Sequence, residues 1–414
     1  MSSSSDYRAT LAHLYGRASG GIKLGLDAMH AVLDALGHPE RRMRHVVVGG
    51  TNGKGSTSTF IAAALQKAGH RVGHYTSPHL LRFSERIRID AQEIDADAVM
   101  RHYTTVCAHE PREPRPLSFF EATTAIALLA YAEAQVDVAV LEVGLGGRLD
   151  ATNVVDRVLS VLTPIDLDHQ HILGRSVAQI AEEKAGIIQV GVPVVVAPQQ
   201  SEAATVFARV ASERGAPLHW VEAHAEEPGG ADWPPYLRKN LAVAKRACEV
   251  LDATGLRCPP EALRTAAAHA RIAARYQYLE GKPPLLIDAG HNPAGLRALL
   301  AALADDPRLR RRPTHVVFSA LGDRPIEEMA ALLAPLAASL WSCPVPSSRS
   351  LTQAQLTARL PTAHVCASVA EALEGARTAA RDDGGYVLVC GSIFLAGEVL
   401  ALVTGAPRDP PVDG

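Results

Sequence analysis

The 414-residue sequence lacks the features that mark several classes of protein. Its formal net charge is only −3, so no attraction to nucleic acid or to an anionic membrane surface is expected. No apolar run reaches the roughly 18 residues that a membrane-spanning helix requires. The segment Met1–Asp6 shows no basic stretch followed by an apolar one, so we expect no signal peptide.

Cysteine is also scarce and scattered. The six cysteines show neither CxxC nor the Cys/His spacing of a zinc site, and reduced, mostly buried thiols of a cytoplasmic enzyme fit this usage best. In contrast, 47% hydrophobic and 21% charged residues are ordinary for a globular protein. The length is sufficient for two or three domains with real hydrophobic cores.

The most informative stretch is residues 45–58, where a β-branched run predicts a buried strand that enters a glycine-rich turn. A helix is predicted next, over Thr57–Ala68. In this arrangement, backbone N–H groups and a helix N-terminus bind phosphate, and Lys54 would reach the outer phosphates. The alternative is a plain glycine-rich turn with an exposed lysine, but the strand–loop–helix context favours the phosphate site. Unlike the common pattern, Gly55 separates the lysine from the hydroxyl of Ser56.

Strands and helices alternate along most of the chain, which predicts an α/β fold. We expect a doubly wound, mostly parallel sheet that carries the phosphate loop over residues 1–275, and a smaller, Rossmann-like α/β domain over 276–414. Ligands of such sheets lie outside the carboxyl ends of the strands. The phosphate loop, Ser77, Glu142 and His169 all fall at predicted strand ends.

Three further expectations concern local structure. Helical patterns predict a helix over Ile326–Ala337, followed next by a helix over Thr352–Leu360. Residues Glu226–Pro235 are predicted to form a loop because glycine, proline and acidic residues dominate them. The tail Ala406–Gly414 is predicted to be disordered.

Ser77, Glu142 and His169 are candidate magnesium ligands, since Mg²⁺ takes few, mostly oxygen ligands from protein and fills its shell with phosphate and water. Alternatives exist for each side chain. Glu142 ends an apolar strand and could be a capping or salt-bridged residue. His169 taken alone is more typical of a satisfied, partly buried histidine. On its pattern alone, Lys184 would be an exposed lysine of a helix.

Six segments together resemble the bacterial dihydrofolate synthase/folylpolyglutamate synthase family, a branch of the Mur ligase superfamily. The resemblance extends over nearly the whole chain and is carried by the segments Gly50–Ser56, Tyr75–Leu80, Leu141–Asn153, Leu167–His169, Glu183–Ile187 and Asp288–Pro293. It implies an ATP-dependent ligase in which ATP phosphorylates a carboxylate and the amine of L-glutamate attacks the acyl phosphate to form an amide. The implied acceptor is dihydropteroate, with folates as a further class. The implied partners are these small molecules alone, and the implied state is a monomer.

The resemblance also implies roles for residues at the matching positions. ATP would be held by Thr51, Asn52, Gly53, Lys54, Gly55, Ser56, Asn240, Arg275 and Asp288. Two Mg²⁺ ions would be held by Ser77, Glu142, His169 and a carbamylated Lys184. The acceptor would contact Arg82, Ser118, Phe119, Phe120, Glu121, Leu149, Asp150 and Ala151, whereas His291 and Ser392 would line the glutamate side. Lys54, Lys184 and His291 would act in catalysis. A carbamate at Lys184 fits physically, because an ammonium would repel Mg²⁺ whereas a carbamate offers an anionic oxygen.

The sequence departs from the family pattern in several places. The family's Gly-x-His/Gln-Gln run ahead of Asn240 is replaced by Pro234–Leu237, and the shorter stretch before it predicts the loss of a strand pair. The Asp-Lys-Asp motif appears as Asp323–Pro325. These departures keep two alternatives open: the same ligase chemistry on a non-folate acid, and a nucleotide-binding ATPase without ligase activity.

Overall fold

In the computed structural model, residues 4–20, 25–110, 115–222 and 233–410 are described. They form two α/β domains, each built on its own sheet. Most of the predicted loop Glu226–Pro235, and with it the predicted loss of a strand pair, lies outside the described residues.

The first sheet has eight strands in the order β4-β3-β2-β5-β1-β6-β7-β8. Its strands are β1 (Arg44–Gly49), β2 (Val72–Tyr75), β3 (Ile87–Ile89), β4 (Gln92–Glu93), β5 (Val138–Glu142), β6 (Leu159–Leu162), β7 (Val194–Val196) and β8 (Leu218–Trp220). Six strands are parallel, and β3 and β4 form an antiparallel edge. Because β1 lies between β5 and β6, the segments that follow these three strands meet at one edge of the sheet.

Ten helices accompany this sheet among the described residues. They are α1 (Ser4–Gly16), α2 (Asp27–Ala35), α3 (Lys54–Lys67), α4 (Ala96–Ala108), α5 (Phe119–Glu133), α6 (Gln170–Leu173), α7 (Val177–Ala185), α8 (Ser201–Glu213), α9 (Pro235–Ala253) and α10 (Pro260–His269). Successive residues of β1 face opposite sides: Val46 and Val48 belong to the core under α3 and α9, whereas Val47 belongs to the core under α5 and α7. The sheet is therefore buried on both faces, which explains its nearly continuous apolar strands.

The second sheet has six strands in the order β13-β12-β11-β14-β10-β9, and all but β9 run parallel. Its strands are β9 (Gln277–Leu279), β10 (Leu285–Ile287), β11 (Thr314–Phe318), β12 (Ala337–Ser342), β13 (His364–Val365) and β14 (Tyr386–Cys390). Its helices are α11 (Pro293–Asp305), α12 (Ile326–Leu333), α13 (Gln353–Arg359), α14 (Val369–Asp383) and α15 (Ile393–Thr404). Two separate apolar clusters, one on each face, complete this smaller domain.

Three predictions about local structure were wrong in part. Helix α12 ends at Leu333, and the alanine-rich stretch from Ala337 forms β12, because pairing with β11 overrides helix propensity. Helix α3 begins at Lys54, three residues before the predicted start, so the lysine itself opens the helix. Residues 406–410 are not disordered: the N–H of Asp409 donates to the Leu81 carbonyl at 2.9 Å, and its carboxylate accepts from the Phe83 N–H at 2.8 Å.

None of the helices in the described ranges has both the length and the apolar character needed to cross a membrane.

Candidate active site

A cavity of about 810 Å³ lies where the two domains meet. It is bordered by the segments that follow β1, β5 and β6 of the first domain and β10, β11 and β14 of the second. Its lining includes every residue predicted for ATP, metal, acceptor and glutamate except Arg82. The structure therefore brings together motifs that are far apart in the sequence.

The phosphate loop needs glycine at two positions. Gly50 has φ +143°, and a Cβ there would lie 1.9 Å from the Oγ1 atom of Thr163. Gly53 has φ +90°, and a Cβ there would lie 2.5 Å from the Oδ1 atom of Asn240. A side chain at either position would therefore require both strained backbone and displaced neighbours. The result is a tight loop whose amides lead directly into the N-terminus of α3, as phosphate binding requires.

Lys54 lies at this helix N-terminus and projects into the cavity region. Its amine donates to the Thr51 carbonyl at 3.3 Å. Burial lowers its pKa, while the nearby Glu142 carboxylate raises the pKa and Arg275 lowers it further. A cation enclosed in this way gains much from an anionic ligand that enters the cavity.

Glu142 ends β5 and faces the phosphate loop. Its side chain is 5% exposed, and its Oε2 atom accepts the Ser77 N–H at 3.1 Å. A Cβ on Gly55 would be 3.4 Å from the same oxygen, so the carboxylate lies directly beside the loop. Burial raises the pKa of Glu142, while the Lys54 amine acts in the opposite direction. This placement suits a carboxylate that shares a cation with bound phosphate.

His169 follows β6 in a left-handed conformation, with φ +49°. Burial, with additional repulsion from His291 and Lys54, lowers its pKa to about 3. The imidazole is therefore neutral, which is the form that binds a metal. In this structure Nε2 lies 3.3 Å from the Nη2 atom of Arg324. The Nη1 atom of the same arginine donates to the Asp168 carboxylate.

Lys184 is buried, which overturns the alternative that it is an exposed helix lysine. Only 5% of the residue is exposed, and its amine donates to the Gly50 carbonyl at 2.8 Å. Burial and then repulsion by Lys54 lower its pKa well below the ordinary value. A buried amine whose charged form is disfavoured therefore lies against the phosphate loop.

The side chains at the phosphate end offer few donors for a metal ion. Across the described ranges, no three His, Cys, Asp or Glu side chains are grouped closely enough to hold a metal by themselves. The carboxylate of Glu142, the imidazole of His169 and the hydroxyl of Ser77 nevertheless border the same cavity. Such a sparse set fits Mg²⁺, which keeps waters and takes further oxygens from bound phosphates.

The acceptor end of the cavity is built differently. The carboxylate of Asp150 accepts the N–H groups of Gly144, Leu145 and Thr152 at 2.9–3.0 Å, and the Thr152 hydroxyl at 2.6 Å. Burial raises its pKa, while these donors act in the opposite direction. The carboxylate thus organises the loop that carries Leu149 and Ala151.

The Glu121 carboxylate is likewise hydrogen-bonded by residues of its own domain. It accepts two hydrogen bonds from Arg115, at 2.8 and 2.9 Å, and one from the Ser118 N–H at 2.8 Å. Ser118 in turn caps α5. These contacts hold Phe119 and Phe120 at the start of α5, where both rings line the cavity.

The sequence did not point to Arg86, which lines the cavity and is 1% exposed. Its Nε donates to His79 Nδ1 at 2.8 Å, and its guanidinium lies 4.9 Å above the Phe119 ring. Its Nη2 finds no hydrogen-bond partner among the described residues. Arg82, in contrast, pairs with Glu93 through bonds of 2.8 and 3.1 Å and lies outside the lining. Both arginines lie in the short segment 82–86, and no pattern in the sequence there separates them.

On the side of the second domain, His291 donates from Nδ1 to the Ala289 carbonyl at 3.1 Å, which leaves Nε2 as an acceptor. Burial and the charge of Arg275 lower its pKa to about 4, so the ring is neutral. Ser392 is 2% exposed and caps α15. Both residues line the cavity, as predicted.

The nucleotide residues that were predicted from the resemblance also meet across the domains. Asn240 packs against Gly53, and Asp288 accepts the Gly290 and Tyr276 N–H groups at 2.8 and 2.9 Å. Asp288 further accepts from the hydroxyl of Tyr236, which the sequence did not single out. One end of the cavity can therefore bind a polyphosphate with its metal, and the other end presents aromatic and apolar side chains.

Comparison with known proteins agrees with this geometry. Residues 274–393 match the family described as Mur ligase, glutamate ligase domain. The chain is 35% identical over 360 residues to the dihydrofolate synthase/folylpolyglutamate synthase of Bacillus subtilis, covering 80% of this chain and 83% of that protein. It is 33% identical to the Escherichia coli protein of the same name, covering 95% and 94%.

Solved structures give the same result. The structure of E. coli FolC in complex with DHPP and ADP superposes with a TM-score of 0.86 at 32% identity, covering 96% of this chain and 98% of that chain. The Yersinia pestis bifunctional folylpolyglutamate synthase/dihydrofolate synthase, complexed with AMPPNP and a Mn ion, gives 0.84 at 33% identity, covering 96% and 98%.

Proposed function

The chain belongs to the dihydrofolate synthase/folylpolyglutamate synthase family, and from this premise we propose that it joins L-glutamate to dihydropteroate in an ATP-dependent reaction. Folates are a further class of acceptor. The observation that carries the proposal is the single cavity in which the phosphate loop lies beside an acceptor end with aromatic walls. The γ-phosphoryl group would pass from ATP to the acceptor carboxylate, and glutamate would displace it to form the amide.

Charge stabilisation at the phosphate loop is the main contribution that we assign to this chain. The Lys54 amine and the first amides of α3 would offset the charge on the outer phosphates as the phosphoryl group moves. Ser77, Glu142 and His169 would hold Mg²⁺, which would offset part of the negative charge of the phosphates. Closure of two domains around one cavity would keep water away from the acyl phosphate.

Lys184 would hold a second Mg²⁺ as a carbamate. Burial lowers the pKa of its amine and so favours the neutral form, which attacks CO₂ to form an N–C bond with release of one proton. The resulting carbamate would present anionic oxygens beside the phosphate loop, where the amine now contacts Gly50.

On the glutamate side, we assign His291 and Ser392 to the incoming amino acid. The neutral ring of His291 does not repel the glutamate ammonium, and its Nε2 can accept a hydrogen bond from the amine. A domain boundary near residue 275 would place these two residues on the body that closes over the first domain. We further propose that the enzyme is a cytoplasmic monomer; its six free cysteines agree with a reducing compartment.

The test is phosphate release from ATP with Mg²⁺, measured with and without L-glutamate and with dihydropteroate or tetrahydrofolate. Release that requires both dihydropteroate and glutamate is the expected result. No phosphate release with either pterin, from folded protein that still binds ATP, would point to a non-folate acid. Release that needs neither acid nor amino acid would indicate an ATPase and would contradict the proposal.

A further inference from the structure

Tyr236 connects the two domains at the nucleotide side of the cavity. It lies in the first turn of α9, the last long helix before the second sheet, and its hydroxyl donates to the Oδ2 atom of Asp288 at 2.5 Å. Its ring packs against the second domain's core, which includes Leu286 and Leu296. A side chain of the first domain is therefore inserted into the second.

The hydrogen bond from Tyr236 completes the environment of the Asp288 carboxylate. The Tyr276 N–H donates to the same Oδ2 atom at 2.9 Å, and the Gly290 N–H donates to Oδ1 at 2.8 Å. A carboxylate offers about four acceptor positions, so three donors fix its orientation and leave one position for a ligand. Asp288 is 4% exposed and lines the cavity, so that ligand must come from within it.

The same helix also reaches the phosphate loop. Asn240 lies one turn after Tyr236, and its Oδ1 atom would be 2.5 Å from a Cβ on Gly53. Helix α9 thus holds the phosphate loop at one residue and Asp288 at the other. A nucleotide whose phosphates lie at Gly53 would extend its nucleoside along this face of α9, toward Asp288.

We propose that Tyr236 is a nucleoside-positioning residue: its hydroxyl orients the Asp288 carboxylate to accept a hydrogen bond from the sugar of the nucleotide. This inference rests on the proposed use of ATP. It adds a residue from the segment Pro234–Leu237, where the sequence departs from the family pattern. The hydroxyl remains a donor because burial and the Asp288 charge raise its pKa well above the ordinary value.

The test compares a ligand that has a nucleoside with one that has none. Binding of ADP and of inorganic tripolyphosphate, each with Mg²⁺, is measured by calorimetry for the wild type and for Tyr236→Phe. The variant keeps the ring and loses only the hydroxyl, so we expect ADP affinity to fall about tenfold. Affinity for tripolyphosphate should change less than about twofold, since Lys54 and the loop are untouched.

Two further variants keep the test decisive. Tyr278→Phe is the matched control: Tyr278 lies in β9 outside the cavity lining and should leave both affinities unchanged. Asp288→Asn should weaken the binding of ADP but not that of tripolyphosphate. Combining it with Tyr236→Phe should cause little further loss of ADP affinity, because both changes disrupt the same interaction. Additive losses would show that Tyr236 does not act through Asp288.

The remaining outcomes distinguish a failure of this inference from a failure of the proposed function. If Tyr236→Phe weakened the binding of both ligands equally, the hydroxyl would have a purely structural role and the inference would be overturned. Unchanged affinity for ADP would also overturn it. A wild-type protein that binds ADP with the expected selectivity, but forms no amide with any pterin, would refute the proposed function alone. A wild type that binds no ADP would refute both.

Discussion

The phosphate end and the acceptor end of the cavity both contain buried ionisable side chains, but their partners differ. At the phosphate end, the amines of Lys54 and Lys184 each donate to a single backbone carbonyl, and burial lowers the pKa of both. At the acceptor end, Asp150 and Glu121 accept four and three hydrogen bonds from their own domain.

The difference distinguishes side chains that await a ligand from side chains that hold the protein together. A buried group with few partners costs folding free energy, which a bound ligand can recover. A buried group whose hydrogen bonds are satisfied stabilises the fold and has little capacity left for a ligand. Substitutions at the two ends should therefore separate activity from stability.

The largest effect is expected for Lys54→Met. Loss of the charge at the phosphate loop should lower kcat by about 10³-fold, because the amine would offset the charge on the outer phosphates during phosphoryl transfer. The melting temperature of the ligand-free protein should stay the same or rise. Steady-state kinetics and a thermal melt check this, with exposed Lys67→Met, in the last turn of the same helix, as the control. A clear fall in melting temperature would contradict the distinction between the two ends.

Lys184→Met should lower kcat by about 10²-fold, and short carboxylic acids should restore part of the activity in the smaller variant Lys184→Ala if a carbamate is present. Whereas Lys184→Met should lower activity, it should raise the stability of the folded protein. Because the folded-state pKa of Lys184 lies well below its unfolded value, folding at a pH between these two values releases a proton. Stability therefore rises with pH up to the unfolded pKa, and Met at this position should remove part of that dependence.

Denaturant titrations of the wild type and Lys184→Met at pH 6 and pH 9 test this sign. The stability difference between the two proteins should be larger at pH 6, in favour of the variant. An equal difference at both pH values would show that the pKa of the Lys184 amine is not lowered in the folded protein. Full activity of the variant would remove the carbamate from the mechanism.

At the acceptor end, Asp150→Ala should act mainly on stability. It leaves three backbone N–H groups and one hydroxyl without their acceptor in a buried loop, at a cost of about 3 kcal/mol. Chemical denaturation measures this, with the exposed Asp382→Ala as the control. A variant of unchanged stability that cannot bind the acceptor would instead make Asp150 a ligand-binding residue.

The sequence predicted the parts of this structure that depend on local pattern. The strand, glycine loop and helix at residues 45–67 were recognisable because a phosphate loop needs those residue types in that order. Strand β12 was missed because its alanines favour a helix unless β11 is present to pair with it. The hydrogen bond from Tyr236 to Asp288 joins residues 52 positions apart, and no local pattern encodes such a contact.

The smallest effect is expected at Arg82, and the pair Arg82 and Arg86 shows why motif matching alone could not rank them. Arg82 pairs with Glu93, and 37% of its side chain is exposed, whereas Arg86 is buried against Phe119 with one nitrogen unpartnered within the described part of the chain. Arg82→Gln should change kcat/KM for the acceptor less than about twofold, since an exposed ion pair contributes little. Arg86→Gln should reduce kcat/KM for the acceptor at least about tenfold more than Arg82→Gln does, because it removes a charge that faces the cavity. Steady-state kinetics of both variants at saturating ATP measure these effects. A larger loss of kcat/KM in Arg82→Gln than in Arg86→Gln would support Arg82 as the acceptor-binding residue, as the resemblance implied.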